Sequence, residues 1–326
     1  MNGQLHFDSD YLSHLLKLTG GHVPTPGPPP TDIAEIRKGA EAAVHAAFRT
    51  EPTPENIHRT VIPVTSFDGS TIEVHRFGTN EINPSDPGPA ILYVHGGGMI
   101  AGSIEIYEPA LSRYAVYYGI PFFGVEYRFA PELTGDGLVR DVYAALEHLV
   151  SHAKELGIDP ARIAIMGDSA GGGIAAGTAL MARDRNLQPP IAKQVLVYPM
   201  LDDRTPPPAP DSPLSKFLFI WDGARSTLAW AALLGKDKAG KEDADVPIYA
   251  APSRAKDLSN LPETYVEVGG LDVFANEAID YVGRLVRASV QTEFHLLPGI
   301  PHGHDTIPTT LGENVKEAKK RFLRDL

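Results

Sequence analysis

The sequence from residue 90 onwards alternates short, almost continuously apolar runs with longer segments of helical periodicity. Apolar runs of this length are typical of strands that are buried on both faces, as in parallel sheets covered by helices. The alternation therefore predicts an α/β fold with a mostly parallel sheet flanked by helices. The predicted strands are 60–66, 71–77, 90–94, 121–126, 162–166, 193–198, 264–268 and 292–297, and the predicted helices between and after them are 107–118, 136–156, 171–183, 273–288 and 309–326.

The first two predicted strands are separated by the turn Phe67-Asp68-Gly69-Ser70. An Asp-Gly pair between two β-rich runs is a hairpin signal. We therefore expect an eight-stranded sheet that begins with an antiparallel pair and continues in parallel.

Two regions lie outside this alternation. Before the first strand, helical stretches over 7–18 and 32–48, the second capped by Thr31, flank a proline- and glycine-rich connection over 20–30, and they are expected to form a lid. Residues 202–245 form an insertion with a proline cluster followed by Phe217, Phe219, Trp221 and Trp230. These aromatic residues fit two interpretations, a cover over an apolar pocket or a helix packed on the main core.

Charge and composition exclude several classes of function. The formal net charge of −12 would repel a phosphate backbone, so nucleic-acid binding is not expected. The absence of cysteine removes disulfides, a thiolate nucleophile and cysteine-ligated metals. The N-terminus lacks the pattern of a secretory signal, and no stretch has the roughly 20 apolar residues of a membrane helix. A cytoplasmic protein with no membrane span is therefore expected.

The strongest local motif is Gly-Asp-Ser-Ala-Gly at residues 167–171. It lies between the apolar run 162–166 and a helix rich in small residues, and this strand–turn–helix context is the one in which such a serine acts as a nucleophile. The flanking glycines allow strand and helix to approach closely, and the helix N-terminus favours developing negative charge. Ser169 is therefore the candidate nucleophile, and a tight turn without chemistry is the alternative.

A second motif, His95-Gly96-Gly97-Gly98, directly follows the apolar run 90–94. Consecutive glycines leave backbone N–H groups free to donate to an oxyanion, and by itself the run also fits a phosphate-binding loop or a flexible turn. Together with the serine motif it predicts an oxyanion hole, with Gly97, Gly98 and Ala170 as the candidate donors.

The serine needs a histidine as its base, and the histidine needs a carboxylate that orients it. In this strand–turn–helix arrangement both follow the serine in the sequence, the acidic residue first and the histidine second. Asp272 directly follows the predicted strand 264–268, at the edge where sites of α/β proteins assemble, whereas Glu277 and Asp280 lie further on in a helix. His302 and His304 lie in the loop 298–304. We favour Asp272 and His302; His304 is read as a pocket-lining residue, and His295, within a strand, as structural.

These motifs together resemble the hormone-sensitive-lipase family of α/β hydrolases, to which many microbial esterases belong. The resemblance covers residue 60 to the C-terminus, and the residues that carry it are the His95–Gly98 run, residues 127–132 (YRFAPE), residues 167–172, Tyr198-Pro199, Asp272 and residues 298–302. It implies the α/β-hydrolase fold, a triad of Ser169, Asp272 and His302, and an oxyanion hole from Gly97, Gly98 and Ala170. The chain departs from the family pattern at residues 133–137 and at His304, where an aromatic residue often stands.

The resemblance divides the chain into an N-terminal helical cap segment, 1–59, and a catalytic domain, 60–326, with 202–245 as a cap insertion. It implies a serine esterase acting on short- to medium-chain acyl esters of small molecules through an acyl-enzyme, and a homodimer formed through the last strand. No metal or organic cofactor is expected, because Asp and His clusters with ligand spacing are missing apart from His302-x-His304, which is interpreted as catalytic. The same triad would also suit an amidase, a lactonase or a deacetylase. A non-catalytic binding module on this fold is a further alternative, which the presence of His302 disfavours.

Overall fold

A computed structural model describes residues 5–39, 52–209 and 211–326. Its eight strands form one sheet in the order β1-β2-β4-β3-β5-β6-β7-β8. The strands are β1 (His58–Thr65), β2 (Thr71–Gly78), β3 (Gly88–Val94), β4 (Phe122–Glu126), β5 (Ile158–Asp168), β6 (Lys193–Val197), β7 (Glu263–Gly269) and β8 (Thr292–Leu297). Within the described ranges the helices are α1 (Ser9–Leu18), α2 (33–39), α3 (Ile104–Tyr118), α4 (Gly137–Ser151), α5 (Ala170–Asp184), α6 (Gly223–Leu234), α7 (Ala275–Arg287) and α8 (Thr310–Phe322).

Strand pairing agrees with the predicted α/β-hydrolase arrangement. Strands β1, β2 and β4 pair in antiparallel fashion, and β1 and β2 form the hairpin around residues 66–70. The pairs from β4 through β3, β5, β6 and β7 to β8 are all parallel. The expected fold class, a mostly parallel eight-stranded sheet with an antiparallel start, is therefore confirmed.

The central strands are buried along most of their length, as their apolar sequences predict. In β3 the residues from Ala90 to Val94 are all buried, and in β6 four of the five residues are buried. Helix α5 packs on β3, β5 and β6, α3 packs on β2 and β4, and α7 and α8 pack on β7. Because the central strands are parallel, the loops that follow their carboxyl ends meet at one edge of the sheet.

Some predicted boundaries are shifted. Helix α4 ends at Ser151, five residues earlier than predicted, because the chain turns there and reaches Gly157 with a φ of +64°. Strand β5 begins earlier than predicted, at Ile158, since this residue pairs with Gly88 of β3.

The segment before the sheet contains the two predicted helices. Helix α1 begins after Asp8, whose carboxylate accepts from the N–H groups of residues 10 and 11. The predicted Thr31 cap of α2 is wrong, because Asp32 Oδ1 accepts from the Glu35 N–H at 2.9 Å, while the Glu35 carboxylate reaches back to the Thr31 N–H. The remainder of the predicted helix up to residue 48 lies outside the described residues.

The insertion holds helix α6, which the strand–helix alternation did not predict. Trp230 of α6 is 3% exposed and belongs to the main hydrophobic core. This part of the insertion therefore packs on the core, which is one of the two expected interpretations. Among the described residues, no helix has the length and apolar character needed to cross a membrane.

Candidate active site

Ser169 lies at the sharp turn between β5 and α5. Its φ of +56° and ψ of −122° lie outside the regions that non-glycine residues ordinarily adopt, and the side chain is 7% exposed. The turn is tight because its glycines have close backbone neighbours. A Cβ atom on Gly167 would lie 2.2 Å from the Gly171 carbonyl oxygen, and one on Gly171 would lie 2.0 Å from the Val94 carbonyl oxygen. Only glycine fits at either position.

A continuous hydrogen-bonded chain joins the three predicted residues. His302 Nε2 lies 3.0 Å from Ser169 Oγ, and His302 Nδ1 lies 2.7 Å from Asp272 Oδ2. The second Asp272 oxygen accepts from the Phe274 N–H at 2.9 Å. The loops that follow β5, β7 and β8 thus bring together residues that are up to 133 positions apart in the sequence.

The partners of His302 define its tautomer. An ionised carboxylate only accepts hydrogen bonds, so the proton of a neutral His302 is on Nδ1, facing Asp272. Nε2 is then free to accept the proton of the Ser169 hydroxyl. The imidazole also packs edge-on against two aromatic rings, with the Tyr198 ring centre at 4.7 Å and the Phe274 ring centre at 5.2 Å from its own. This arrangement suits a serine nucleophile with a histidine base.

The glycine run after β3 lies against the residue that precedes Ser169, since a Cβ atom on Gly96 would be 3.1 Å from the Asp168 carbonyl oxygen. Gly97 and Gly98 have φ values of +124° and +65°. Among the described residues, no acceptor takes a hydrogen bond from the N–H groups of Gly97, Gly98 or Ala170. We call residues 96–98 the oxyanion loop, after the role predicted for Gly97 and Gly98 together with Ala170.

His95 fixes the start of this loop. Its imidazole is fully buried, and burial lowers its pKa to about 4, so the ring is neutral. Nδ1 donates to the Gly96 carbonyl at 2.7 Å, and the Tyr127 ring stacks on the imidazole at 4.4 Å. The Tyr127 hydroxyl in turn donates to the His95 carbonyl at 2.9 Å. Residues of the two motifs 95–98 and 127–132 are thus held together.

The other acidic candidates are not brought to His302. Glu277 is buried in α7, where its carboxyl oxygens accept from the Leu201 N–H at 2.7 Å and from the Thr205 hydroxyl. Burial raises the pKa of Glu277 to about 8. Asp280 is exposed on the same helix.

The other histidines of the C-terminal region also lie away from Ser169. His295 is in β8, with Nε2 at 2.8 Å from Glu293. His304 is 2% exposed, and its Nε2 lies 3.6 Å from the buried Glu267. Burial lowers the pKa of His304. It lines a small cavity between α3 and α8, next to Tyr118, and Ser169 does not line this cavity.

Asp168 is a buried acidic residue next to Ser169 whose partners the sequence motifs do not reveal. Its carboxyl accepts from the Tyr107 hydroxyl at 3.0 Å and from the Tyr93 hydroxyl, and it lies under the oxyanion loop, since a Cβ on Gly96 would be 2.8 Å from its Oδ2. Burial raises the pKa of Asp168 to about 7. The tyrosines are 61 and 75 positions away, so no local sequence signal could reveal this cluster.

The N-terminal segment contacts the loop that carries His302. The Asp8 N–H donates to the Gly299 carbonyl at 2.9 Å. Phe7 packs edge-on against Phe217 of the insertion, with ring centres 4.8 Å apart. The two regions predicted to form a lid therefore touch each other beside this loop.

Helix α2 and the insertion are also attached to the motifs around the site. Arg37 of α2 donates to the Ile100 carbonyl at 2.6 Å and pairs with Glu132 at 2.7 Å. The Gly135 N–H donates to the Leu233 carbonyl of α6 at 2.8 Å. Residues 133–137, where the chain departs from the family pattern, thus contact the insertion.

No group of three or more His, Asp or Glu side chains within the described ranges is arranged to hold a metal ion.

Comparisons with known proteins agree with the fold. A family model described as the α/β-hydrolase fold matches residues 91–306. Esterase LipI of Mycobacterium tuberculosis is 34% identical over 221 residues, which cover 66% of this chain and 65%, just under two thirds, of LipI. A solved bacterial heroin esterase has a TM-score of 0.84 at 35% identity, covering 98% of this chain and 97% of that one. The hyperthermophilic esterase of the archaeon Pyrobaculum calidifontis has a TM-score of 0.81 at 26% identity, covering 98% and 99%. The chain belongs to the hormone-sensitive-lipase-like esterase family of α/β hydrolases.

Proposed function

We propose that this protein is a serine carboxylesterase that hydrolyses short- to medium-chain acyl esters of small molecules. The observation that carries the proposal is the hydrogen-bonded chain from Asp272 through His302 to Ser169. The names of the relatives, an esterase and a heroin esterase among them, support ester hydrolysis as the reaction.

The first half of the reaction forms an acyl-enzyme. Ser169 Oγ attacks the ester carbonyl carbon while its proton passes to His302 Nε2, and the carbonyl oxygen becomes an oxyanion. The N–H groups of Gly97, Gly98 and Ala170 donate to this oxyanion; one such donor is typically worth about a hundredfold to a thousandfold in rate. Asp272 stabilises the imidazolium. The intermediate then collapses, and the leaving alcohol takes the proton from Nε2.

The second half releases the acid. A water molecule gives a proton to His302 Nε2 and attacks the acyl carbon, which again places an oxyanion at the oxyanion loop. When this intermediate collapses, the carboxylic acid leaves and the proton returns to Ser169 Oγ. Serine and histidine are thereby regenerated, and no step uses a cofactor.

The cap is part of the same proposal. Residues 1–59 and 202–245 act as a cap over a catalytic domain formed by 60–326. The contacts of Phe7 with Phe217 and of Arg37 with Ile100 support this division, because the first joins the two cap regions and the second attaches the N-terminal region to the segment after the oxyanion loop. A cytoplasmic location and a homodimer through the last strand remain predictions.

Hydrolysis of p-nitrophenyl acetate, butyrate, octanoate and palmitate by wild type and Ser169→Ala tests the proposal. We expect turnover of the shorter esters by wild type and almost none by Ser169→Ala, with the same thermal unfolding curve. Ser112→Ala is a matched control, since Ser112 is also buried, at 2% exposure, but lies in α3.

Wild-type-like turnover by Ser169→Ala would refute the proposal. If folded wild type cleaves no ester, the corresponding p-nitroanilides and lactones distinguish an amidase or a lactonase from a binding module.

A further inference from the structure

Two adjacent residues of the insertion lie against two different loops of the site. A Cβ atom on Gly98 would lie 2.2 Å from Cη2 of Trp221, so the indole ring lies directly against the oxyanion loop. A Cβ on Gly303 would lie 3.7 Å from two side-chain carbons of Ile220, so Ile220 flanks the turn that follows His302. Trp221 and Ile220 therefore face different parts of a bound substrate.

The reaction determines which parts these are. The leaving alcohol must lie within reach of His302 Nε2, because that atom protonates it. The carbonyl oxygen points to the oxyanion loop, and the acyl chain extends away from His302. Ile220, beside the histidine loop, is therefore assigned to the alcohol side, and Trp221, which lies on the oxyanion loop and not on the histidine loop, is assigned to the acyl side.

The two side chains also differ in exposure and in fixation. Trp221 is 7% exposed, and its indole N–H donates to Ser226 Oγ at 2.9 Å. The Ser226 hydroxyl donates in turn to the Asp222 carbonyl at 3.1 Å, at the start of α6. Ile220 is 40% exposed and faces solvent. The acyl side thus has a fixed, buried wall, whereas the alcohol side is open.

We propose that Trp221 limits the length of the acyl chain and that the open side at Ile220 accepts bulky alcohols. The substrate class is then esters of short carboxylic acids with large alcohols. This inference rests on the proposed esterase function, because it requires that His302 Nε2 protonates the leaving alcohol.

Two ester series measured with wild type test the two sides separately. The acyl series consists of p-nitrophenyl acetate, butyrate, hexanoate and octanoate. The alcohol series consists of methyl, butyl, cyclohexyl and menthyl acetates, followed by acid release. We expect kcat/KM to fall at least about tenfold from butyrate to octanoate and to change less than about tenfold across the acetates. A preference for octanoate, or rejection of menthyl acetate, would overturn the proposal.

Substitutions at the two positions should have separate effects. Trp221→Ala should raise the octanoate-to-acetate ratio of kcat/KM by at least about tenfold and leave the order of the alcohol series unchanged. Ile220→Ala should alter the alcohol series, while the octanoate-to-acetate ratio stays within about twofold of wild type. Trp221→Phe keeps an aromatic wall, so a smaller rise in the ratio is expected, and it provides the test if Trp221→Ala does not fold.

The measurements separate this inference from the function on which it rests. If Ser169→Ala still hydrolyses the esters, the proposed function fails and the inference fails with it. If hydrolysis requires Ser169 but neither substitution of Trp221 changes the acyl ratio, or if Trp221→Ala changes the alcohol series instead, only the assignment of the acyl wall is wrong.

Discussion

Replacing Asp272 by Asn tests how the structure controls the proton on His302. The two Asp272 oxygens have different partners, the His302 Nδ1–H at 2.7 Å and the Phe274 N–H at 2.9 Å. An asparagine offers one acceptor and one donor in their place. It can satisfy only one of the two N–H groups, and the other must change or remain unpaired.

The cost can be worked out for each orientation of the amide. If the amide oxygen accepts from the Phe274 N–H, the amide NH2 group faces His302 Nδ1. The His302 proton then moves to Nε2, and a protonated Nε2 cannot accept the proton of Ser169. In other triads this wrong tautomer lowers kcat by about 10⁴-fold. With the amide reversed, the NH2 group meets the Phe274 N–H, and two buried donors lose their partners at about 1–3 kcal/mol each. We therefore expect Asp272→Asn to lower kcat/KM by about 10²- to 10⁴-fold.

The assay is kcat/KM for p-nitrophenyl butyrate with wild type, Asp272→Asn and Asp280→Asn. Asp280 is exposed on α7, eight positions further on, and its substitution should leave kcat/KM within about twofold of wild type. A loss of less than about tenfold in folded Asp272→Asn would refute the assignment of Asp272 as the residue that orients His302.

Two further predictions concern stability. In Gly171→Ala the new Cβ would lie 2.0 Å from the Val94 carbonyl oxygen, so urea unfolding should show that the free energy of unfolding falls by about 3 kcal/mol or more. The control Gly88→Ala, whose Cβ would have nothing within 4 Å, should change the free energy of unfolding little. Equal effects of the two substitutions would contradict the close approach at Gly171. Glu277, with its pKa raised to about 8 from an ordinary 4.5, stays protonated in the folded state while the unfolded chain ionises, so its contribution is most favourable below pH 4.5 and is lost as the pH rises to 8. Thermal unfolding of Glu277→Gln should therefore show a gain over wild type that grows between pH 5 and pH 8; a difference independent of pH would contradict the raised pKa.

The parts of the fold that could be predicted are those with a local cause. The buried strands are continuous apolar runs, and the turn at Ser169 is marked by glycines whose Cβ atoms would meet backbone oxygens. The loop positions of Asp272 and His302 follow from the order of strands in a parallel sheet. These features depend on neighbours in the sequence or on topology alone.

The parts that could not be predicted depend on contacts between distant segments. Nothing in the sequence near Asp168 indicates that Tyr93 and Tyr107 donate to it, and nothing near Trp221 indicates that its indole lies on Gly98. The pattern left a helix in the insertion as one of two interpretations, because the proline cluster before α6 breaks the strand–helix alternation. Such contacts form only when the insertion and the sheet pack together.

Labelling with a fluorophosphonate tests the central claim most directly, because this reagent reacts only with a serine that an adjacent base activates. Intact-mass and peptide analysis of wild type, Ser169→Ala and His302→Ala would follow the adduct. The account predicts one adduct per wild-type chain, on Ser169, no adduct in Ser169→Ala and strongly slowed labelling in His302→Ala. Folded wild type that stays unlabelled, or an adduct on another residue, would contradict it.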